Sequence, residues 1–315
     1  MSVTPALTID QAIATLRQGH LVAIPTETVY GLAADAMCPT AINRIFALKG
    51  RPSDHPLIVH IADAKQMPVW AMDIPEVAYR LADAFWPGPL TFILKKQRDV
   101  PLEVTGGQNT IGLRCPDNAL TLELLQRFDG GLAAPSANRF GRISPTTADH
   151  VRAEFGADTP PILDGGPCAV GIESTIVDLS GKSFRILRPG KIRHEQLLPF
   201  LPQLQMGSDS SSPRVSGALE SHYAPRTPIY LLSRSEIEAS DDQYAVALTL
   251  DSLPADLRGL CLPAQAEAYA RGFYSSLRRL DEMNASRILL EQTPSSIEWL
   301  AVNDRIKRAV AGPSE

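Results

Sequence analysis

At 315 residues, 44% of them hydrophobic and 21% charged, the chain can bury a sizeable core and, at roughly 150 residues per domain, has material for two domains. Its net charge of -5 argues against a broad, sequence-independent grip on nucleic acid, which needs a basic face. No apolar run approaches the ~20 residues that span a bilayer and the N-terminus lacks a basic region followed by an apolar core, so a cytoplasmic protein with no membrane partner is expected.

In chain order, Thr8 to Gln18 reads as a helix: Thr8 and Gln11 form a capping box, Ile9, Ala12, Ile13 and Leu16 share a face, and Gly19 ends it. Leu21 to Ile24 reads as a short buried strand stopped by Pro25. Further apolar runs predict strands at Leu57 to Ile61, Leu90 to Leu94, Thr110 to Leu113, Gly131 to Ala134, Ser174 to Leu179 and Ser183 to Leu187. Helical periodicity lies between several of them, at Ala41 to Leu48, Pro75 to Phe85, Ala119 to Phe128 and Thr146 to Phe155, the last with Ser144 as cap and Pro145 in its first turn. This alternation predicts an α/β domain with a twisted mixed sheet, because some links are too short for a crossover helix.

From Gln203 to Arg226 the composition turns to Gly, Ser, Asp and Pro, the mark of a linker. Strands are expected beyond it at Ile229 to Leu232, Ala245 to Leu250 and Ile288 to Glu291. Ala266, Tyr269, Ala270, Phe273, Leu277 and Leu280 stripe a long helix, which suggests a small doubly wound module. The expected division is therefore 1–202 for the main domain, 203–226 for the linker and 227–315 for the small α/β domain.

Several tempting features lead nowhere. Gly181-Lys182-Ser183 imitates the end of a phosphate loop, but Ile176 stands where that loop needs Gly and the segment joins two strands, so it predicts a hairpin turn. Gly106-Gly107 and Gly165-Gly166 lack dinucleotide-binding spacing. Cys38, Cys115, Cys168 and Cys261 are scattered and form no Cys-x-x-Cys pair, so they are expected to be buried small hydrophobes, not zinc ligands or disulfides.

Two segments carry more chemistry. Lys49-Gly50-Arg51-Pro52 offers two cations where the backbone turns sharply, and Pro135-Ser136-Ala137-Asn138 offers a hydroxyl and an amide after an apolar run. Cations neutralise phosphate oxygens, and small neutral oxygens complete the shell of a Mg2+ ion that keeps most of its waters. Taken singly, each residue has a bland rival: helix-end charges for Lys49 and Arg51, a plain turn for Ser136 and Asn138, a core histidine for His60, ion-pair partners for Arg114 and Arg188. Trp86-Pro87-Gly88-Pro89 reads as a rigid turn anchored by its aromatic. No pairing suggests a serine or cysteine nucleophile with its base.

Pro25 to Ala33, Lys49 to Pro52, Phe85 to Thr91, Ser136-Ala137-Asn138, Ser174 to Asp178 and Arg188-Pro189-Gly190 together resemble the YrdC-type domain of the threonylcarbamoyl-AMP synthase family. Ser216-Gly217 and His222-Tyr223-Ala224-Pro225, followed by a small Rossmann-like α/β unit, resemble its long two-domain form. The resemblance implies a nucleotidyltransferase. L-threonine, bicarbonate and ATP would give threonylcarbamoyl-adenylate and pyrophosphate, and partner transferases would use the adenylate to modify tRNA beside the anticodon, with no stable nucleic-acid complex of this chain.

It also implies roles. Lys49, Arg51, Ser53, Thr110, Ser136, Ser144, Arg188 and Tyr223 would contact ATP, with Lys49, Arg51, Ser136 and Asn138 as the catalytic set and Ser136 and Asn138 holding Mg2+ on the phosphates. Thr26, Tyr30, His60, Arg114, Ala134 through its backbone, and Ser174 would hold threonine, with Arg114 taking its carboxylate. Two other functions share this domain type, a carbamoyl-adenylate-forming enzyme of hydrogenase maturation and an RNA-binding module. The cysteine spacing counts against the first, and the acidic charge without interleaved aromatics counts against the second.

Overall fold

Thr8 accepts a hydrogen bond from the Gln11 amide while the Gln11 side chain bonds back to the Thr8 amide, a reciprocal cap that starts α1 (Ile9–Arg17). A computed structural model of the chain describes residues 7–217 and 223–311. The chain divides into two units, one of Met1–Phe140, Pro145–Ala169 and Glu173–Ala218, the other of Gly141–Ser144, Val170–Ile172 and Leu219–Glu315. Among the described residues no helix is long and apolar enough to cross a membrane.

The first unit is built on strands β1 (Val22–Ile24), β2 (Gly31–Asp35), β3 (Ile58–His60), β4 (Ala71–Met72), β5 (Leu90–Lys96), β6 (Thr110–Arg114), β7 (Leu132–Ala133), β8 (Thr175–Asp178), β9 (Arg185–Arg188) and β10 (Gln205–Met206). They form one mixed sheet in the order β1-β2-β7-β3-β6-β5-β8-β9-β10, with β4 on β5. Side-chain alternation explains why the strands read as near-continuous apolar runs, since both faces are covered. Ala23, Leu32, Val59, Phe92, Leu113, Ala133 and Val177 enter one large core. Val22, Ile24, Ala33 and Leu132 enter another, under α1 and the helix Ala119–Phe128.

Beyond that second core the same face thins to Ile93, Ile176 and Leu187, covered by Ile58 and Val215. Thr110, Gly112 and Arg114 alternate with the core residues Ile111 and Leu113, and His60 lies two positions from Ile58. Polar residues from neighbouring strands therefore share a thinly covered face, in register: His60 pairs with Arg114, and Gly112 with both Ile58 and Ile93.

The structure corrects several local expectations. β2 forms from Gly-Leu-Ala-Ala-Asp, a run of weak strand formers, because it is clamped between β1 and β7. The helix Ala148–Phe155 is capped by Thr147, whose hydroxyl accepts from the His150 amide at 3.2 Å; Ser144 is not its cap, and Pro145 lies outside it. Cys115 and Cys168 are buried, whereas Cys38 is half-buried and Cys261 exposed. The hairpin expected at Gly181-Lys182-Ser183 does join two antiparallel strands, β8 and β9.

Part of the segment read as a linker lies against the first unit. β10 pairs with β9, Asp209 meets Arg185 at 2.6 Å, and the Arg214 amide donates to Gln108 Oε1 at 2.8 Å while Gln108 Nε2 donates to the Arg214 carbonyl at 3.1 Å. Sparse apolar composition hid this, because Leu204 and Val215 supply the apolar contact while strand pairing, an ion pair and the Gln108 side chain hold the rest.

The second unit carries β11 (Ile229–Leu232), β12 (Val246–Leu250), β13 (Gly259–Leu262) and β14 (Ile288–Glu291), all parallel in the order β11-β14-β12-β13. The helix Ala266–Asp281 buries Tyr269, Ala270, Phe273, Leu277 and Leu280 as its stripe predicts. Trp299 of the turn Ile297–Trp299 fills the core edge-on to Tyr269 at 5.3 Å. Tyr223, at a φ of 66°, is buried with its ring 5.6 Å from that of Tyr274 and the Arg305 guanidinium 5.5 Å from its centre. Ser144 is fully buried and belongs to this unit. His222 lies outside the described residues.

Candidate active site

Lys49 is the last residue of α2 (Pro39–Lys49), which ends because Gly50 adopts the left-handed conformation at a φ of 61°. Only 2% exposed, Lys49 is no solvated helix-end charge. Its Nζ donates to the Ser136 carbonyl at 2.5 Å and to the Asn138 carbonyl, while the Phe140 amide donates to the Lys49 carbonyl at 2.8 Å. The two segments singled out in the sequence thus meet. Burial, then the neighbouring Arg51, holds the Lys49 pKa well below the usual lysine value.

Residues 134–138 keep this position by running antiparallel to residues 30–32. The Leu32 amide donates to the Pro135 carbonyl at 2.7 Å and the Ala137 amide to the Tyr30 carbonyl at 2.8 Å. Ala134 donates its amide to the Ile58 carbonyl at 3.0 Å. Asn138 is buried, and its amide nitrogen donates to the Arg139 carbonyl at 2.8 Å. Ser136 is half-buried and Ser53 exposed.

A second group joins Arg51 to Arg188. Arg51 Nη2 donates to the Pro56 carbonyl at 3.0 Å and to Ser216 Oγ at 3.2 Å; Arg188 Nη1 donates to the Ser216 carbonyl at 2.9 Å. Arg188 also donates from Nε and Nη2 to the carbonyl and hydroxyl of Ser174, both at 3.0 Å, and that hydroxyl lies 2.7 Å from Thr91 Oγ1. Ser216 is thus the bridge between two guanidinium groups. Beside it, Thr110 lines a small groove with Ile58, Gly112, Ile176 and Val215.

The third group surrounds Arg114, 4% exposed. Its Nη1 donates to Thr28 Oγ1 at 3.0 Å, its Nε to the Gly88 carbonyl at 3.3 Å, and its Nη2 lies 2.6 Å from Glu27 Oε2. That last contact is an ion pair by distance but lacks the alignment of a hydrogen bond. Gly88 is required at its turn, since a Cβ there would lie 2.3 Å from the Phe85 carbonyl oxygen. The turn is anchored as its aromatic suggests, with Trp86 Nε1 donating to the Leu90 carbonyl at 2.7 Å.

Thr26 Oγ1 donates to the Val29 carbonyl at 2.6 Å and accepts from the Thr28 and Val29 amides, both at 3.2 Å, which shapes the loop that carries Glu27. Tyr30 spends its hydroxyl on the turn at residues 164–166, donating to the Gly166 carbonyl at 2.8 Å and accepting from the Gly165 amide at 3.2 Å. Burial and the Asp164 carboxylate raise its pKa. His60 is 3% exposed, and burial followed by repulsion from Arg114 pushes its pKa down to about 3, so the imidazole is neutral at physiological pH. Burial pushes the Cys115 and Cys168 thiols up to about 12, which keeps both from acting as nucleophiles.

Glu27, Thr28 and Thr91 were given no role from sequence, although Glu27 was readable as a signal: an acid in the Pro25-Thr26-Glu27-Thr28 turn that follows the apolar strand β1. Among the described residues no group of three or more His, Cys, Asp or Glu side chains is placed to hold a metal ion. The Ser136 and Asn138 oxygens are neutral donors. Such a set suits an ion that arrives on phosphates more than a resident ion.

Known proteins resemble this chain along most of its length. Residues 14–190 match the Sua5/YciO/YrdC family, described as telomere recombination, and residues 192–311 match the C-terminal domain of threonylcarbamoyl-AMP synthase. The threonylcarbamoyl-AMP synthase of Pyrococcus abyssi is 36% identical over 310 residues, covering 93% of this chain and 91% of its own, and that of Bacillus subtilis is 37% identical over 322 residues, covering 96% and 93%. The crystal structure of P. abyssi Sua5 complexed with L-threonine superposes with a TM-score of 0.89 at 36% identity, covering 96% of this chain and 94% of that one. With both halves of the sequence matched and the fold shared, this chain belongs to the threonylcarbamoyl-AMP synthase family.

Proposed function

We propose that the chain joins L-threonine, bicarbonate and ATP into threonylcarbamoyl-adenylate and pyrophosphate, and that the adenylate serves transferases that modify tRNA next to the anticodon. The observation that carries this reading is the Ser216 bridge, which draws Arg51 and Arg188 together on the first unit. The name of the P. abyssi and B. subtilis relatives and the threonine bound to the P. abyssi protein support the substrate assignment. N-carboxylated threonine is a weak anionic nucleophile approaching an anionic α-phosphate. Catalysis therefore rests on positioning and charge neutralisation more than on proton transfer.

In this reading Lys49, Arg51, Ser53, Thr110, Ser136 and Arg188 receive ATP, and residues 1–202 form the catalytic domain. Mg2+ entering with the triphosphate would be held by Ser136 and Asn138 and would supply further neutralisation of phosphate charge. Thr26, His60, Arg114, Ala134 and Ser174 receive threonine, with His60 acting as a neutral hydrogen-bonding group because of its depressed pKa. The test is pyrophosphate release from ATP and bicarbonate with each amino acid in turn. Threonine dependence is expected; release that prefers serine or ignores the amino acid refutes the assignment, and tight salt-sensitive RNA binding without ATP would favour an RNA-binding module instead.

A further inference from the structure

The chain folds an acid of its own into the proposed threonine pocket. Glu27 is 6% exposed. Its carboxylate faces Arg114, yet at 2.6 Å the contact is misaligned, and among the described residues neither Glu27 oxygen nor Arg114 Nη2 has a hydrogen-bond partner. Other Arg114 nitrogens are already committed to Thr28 and Gly88. Charge holds Nη2 and Oε2 together, but their hydrogen-bonding capacity and that of Glu27 Oε1 are unfilled. Buried carboxylates without donors are costly, so such an arrangement persists where a ligand supplies the missing hydrogens.

We infer that Glu27 and Arg114 form a matched receptor for an α-amino acid zwitterion, with Glu27 accepting hydrogen bonds from the ligand's ammonium group and Arg114 Nη2 donating to its carboxylate. This rests on the reading of the first unit as a threonine site and adds a residue to it. Glu27 selects amino acids over hydroxy acids of the same shape. Arg114 alone would attract any small carboxylate, and the neutral His60 in the neighbouring register position adds no charge that favours one over the other. With the zwitterion bound, the buried charges balance: one acid and one base from the protein, one of each from the ligand. A site built to pair a polar group rejects analogues that lack it, because its own group is then left unpaired.

Calorimetric titration of the full chain with L-threonine and with 3-hydroxybutanoate, which lacks the amino group, tests the assignment. The wild type should prefer threonine strongly. Glu27→Gln should bind threonine about 30-fold more weakly while leaving 3-hydroxybutanoate unchanged or tighter. Equal weakening of both ligands would mean that Glu27 only props Arg114, and unchanged threonine affinity would mean that it has no part in recognition; either overturns the inference. If Glu27→Gln does not fold, Glu27→Asp is read the same way, with selective weakening of threonine expected and equal weakening again decisive against. A wild type that binds other amino acids but not threonine keeps the receptor and overturns threonine as substrate. One that binds no amino acid overturns both.

Discussion

The two units bury charge very differently. Among the described residues, Glu27, Lys49, Arg51, Arg114, Glu173, Asp178 and Arg188 of the first unit lie below a tenth exposed, and Glu291 and Arg305 of the second. Each ion withdrawn from water carries a desolvation penalty of several kcal/mol, offset only by good partners. The second unit avoids most of that cost with a parallel sheet and a helix stripe of aromatics and leucines. Buried ions concentrate where a protein binds and transforms a ligand, at the expense of stability, and this contrast supports the proposed placement of the site in the first unit.

Four substitutions test that contrast. Arg114→Met is expected to have the largest effect, lowering threonine-dependent pyrophosphate release by about 1,000-fold or more. It should also cost about 3–5 kcal/mol in urea unfolding, because Glu27 loses its countercharge. Arg114→Met with Glu27→Gln should regain most of that stability and none of the activity. If the double variant regained activity, the buried pair would be structural only.

Lys49→Met comes next, with kcat/KM for ATP reduced about 100-fold and stability at neutral pH unchanged or raised. Its folded pKa lies below the unfolded one, so the unfolded chain binds the proton more readily. Wild-type stability relative to Lys49→Met should therefore climb as pH rises toward 10.5, the ordinary lysine value. A flat difference across that range would show that Lys49 is not desolvated.

His60→Gln should raise the KM for threonine about 10-fold through one lost polar contact and change the acid limb of stability. Below pH 6.5 only the unfolded chain takes up the His60 proton, down to the folded pKa of about 3. Wild-type stability should thus fall by about 1.4 kcal/mol per pH unit in that window relative to the variant. Thermal unfolding at matched pH values reads the difference, and parallel curves would contradict the neutral assignment.

Trp299→Ala has the smallest expected effect on catalysis. Removing a buried indole that packs on Tyr269 should cost about 3–5 kcal/mol, yet kcat/KM per folded molecule should stay within about twofold, the spread of a surface-neutral change. A large kinetic loss would give the second unit a part in the chemistry.

Much of the architecture was legible in advance. Capping at Thr8, the apolar runs of β1, β5, β6 and β8, the hairpin at residues 181–183 and the striped helix of the second unit all rest on local rules of periodicity, capping and turn chemistry. β2 was not legible, because Gly-Leu-Ala-Ala-Asp forms a strand only when β1 and β7 flank it. Nor was the seating of Val215 over Ile93 and Ile176, which depends on a hydrophobic gap between distant strands. The family resemblance reached Lys49, Arg51, Arg114 and Arg188 as candidates but left the ion pair of Glu27 undetected.

Residue types and their spacing alone were enough to determine an α/β chain with a mixed sheet, a second small unit, and cations and small hydroxyls at strand ends. Which of those groups meet was decided by tertiary structure: Lys49 with the carbonyls of residues 136 and 138, Arg51 with Arg188 through Ser216, Arg114 with Glu27. Propensity acts over a few neighbouring residues, whereas the interactions that set protonation and charge balance act across space between residues far apart in sequence.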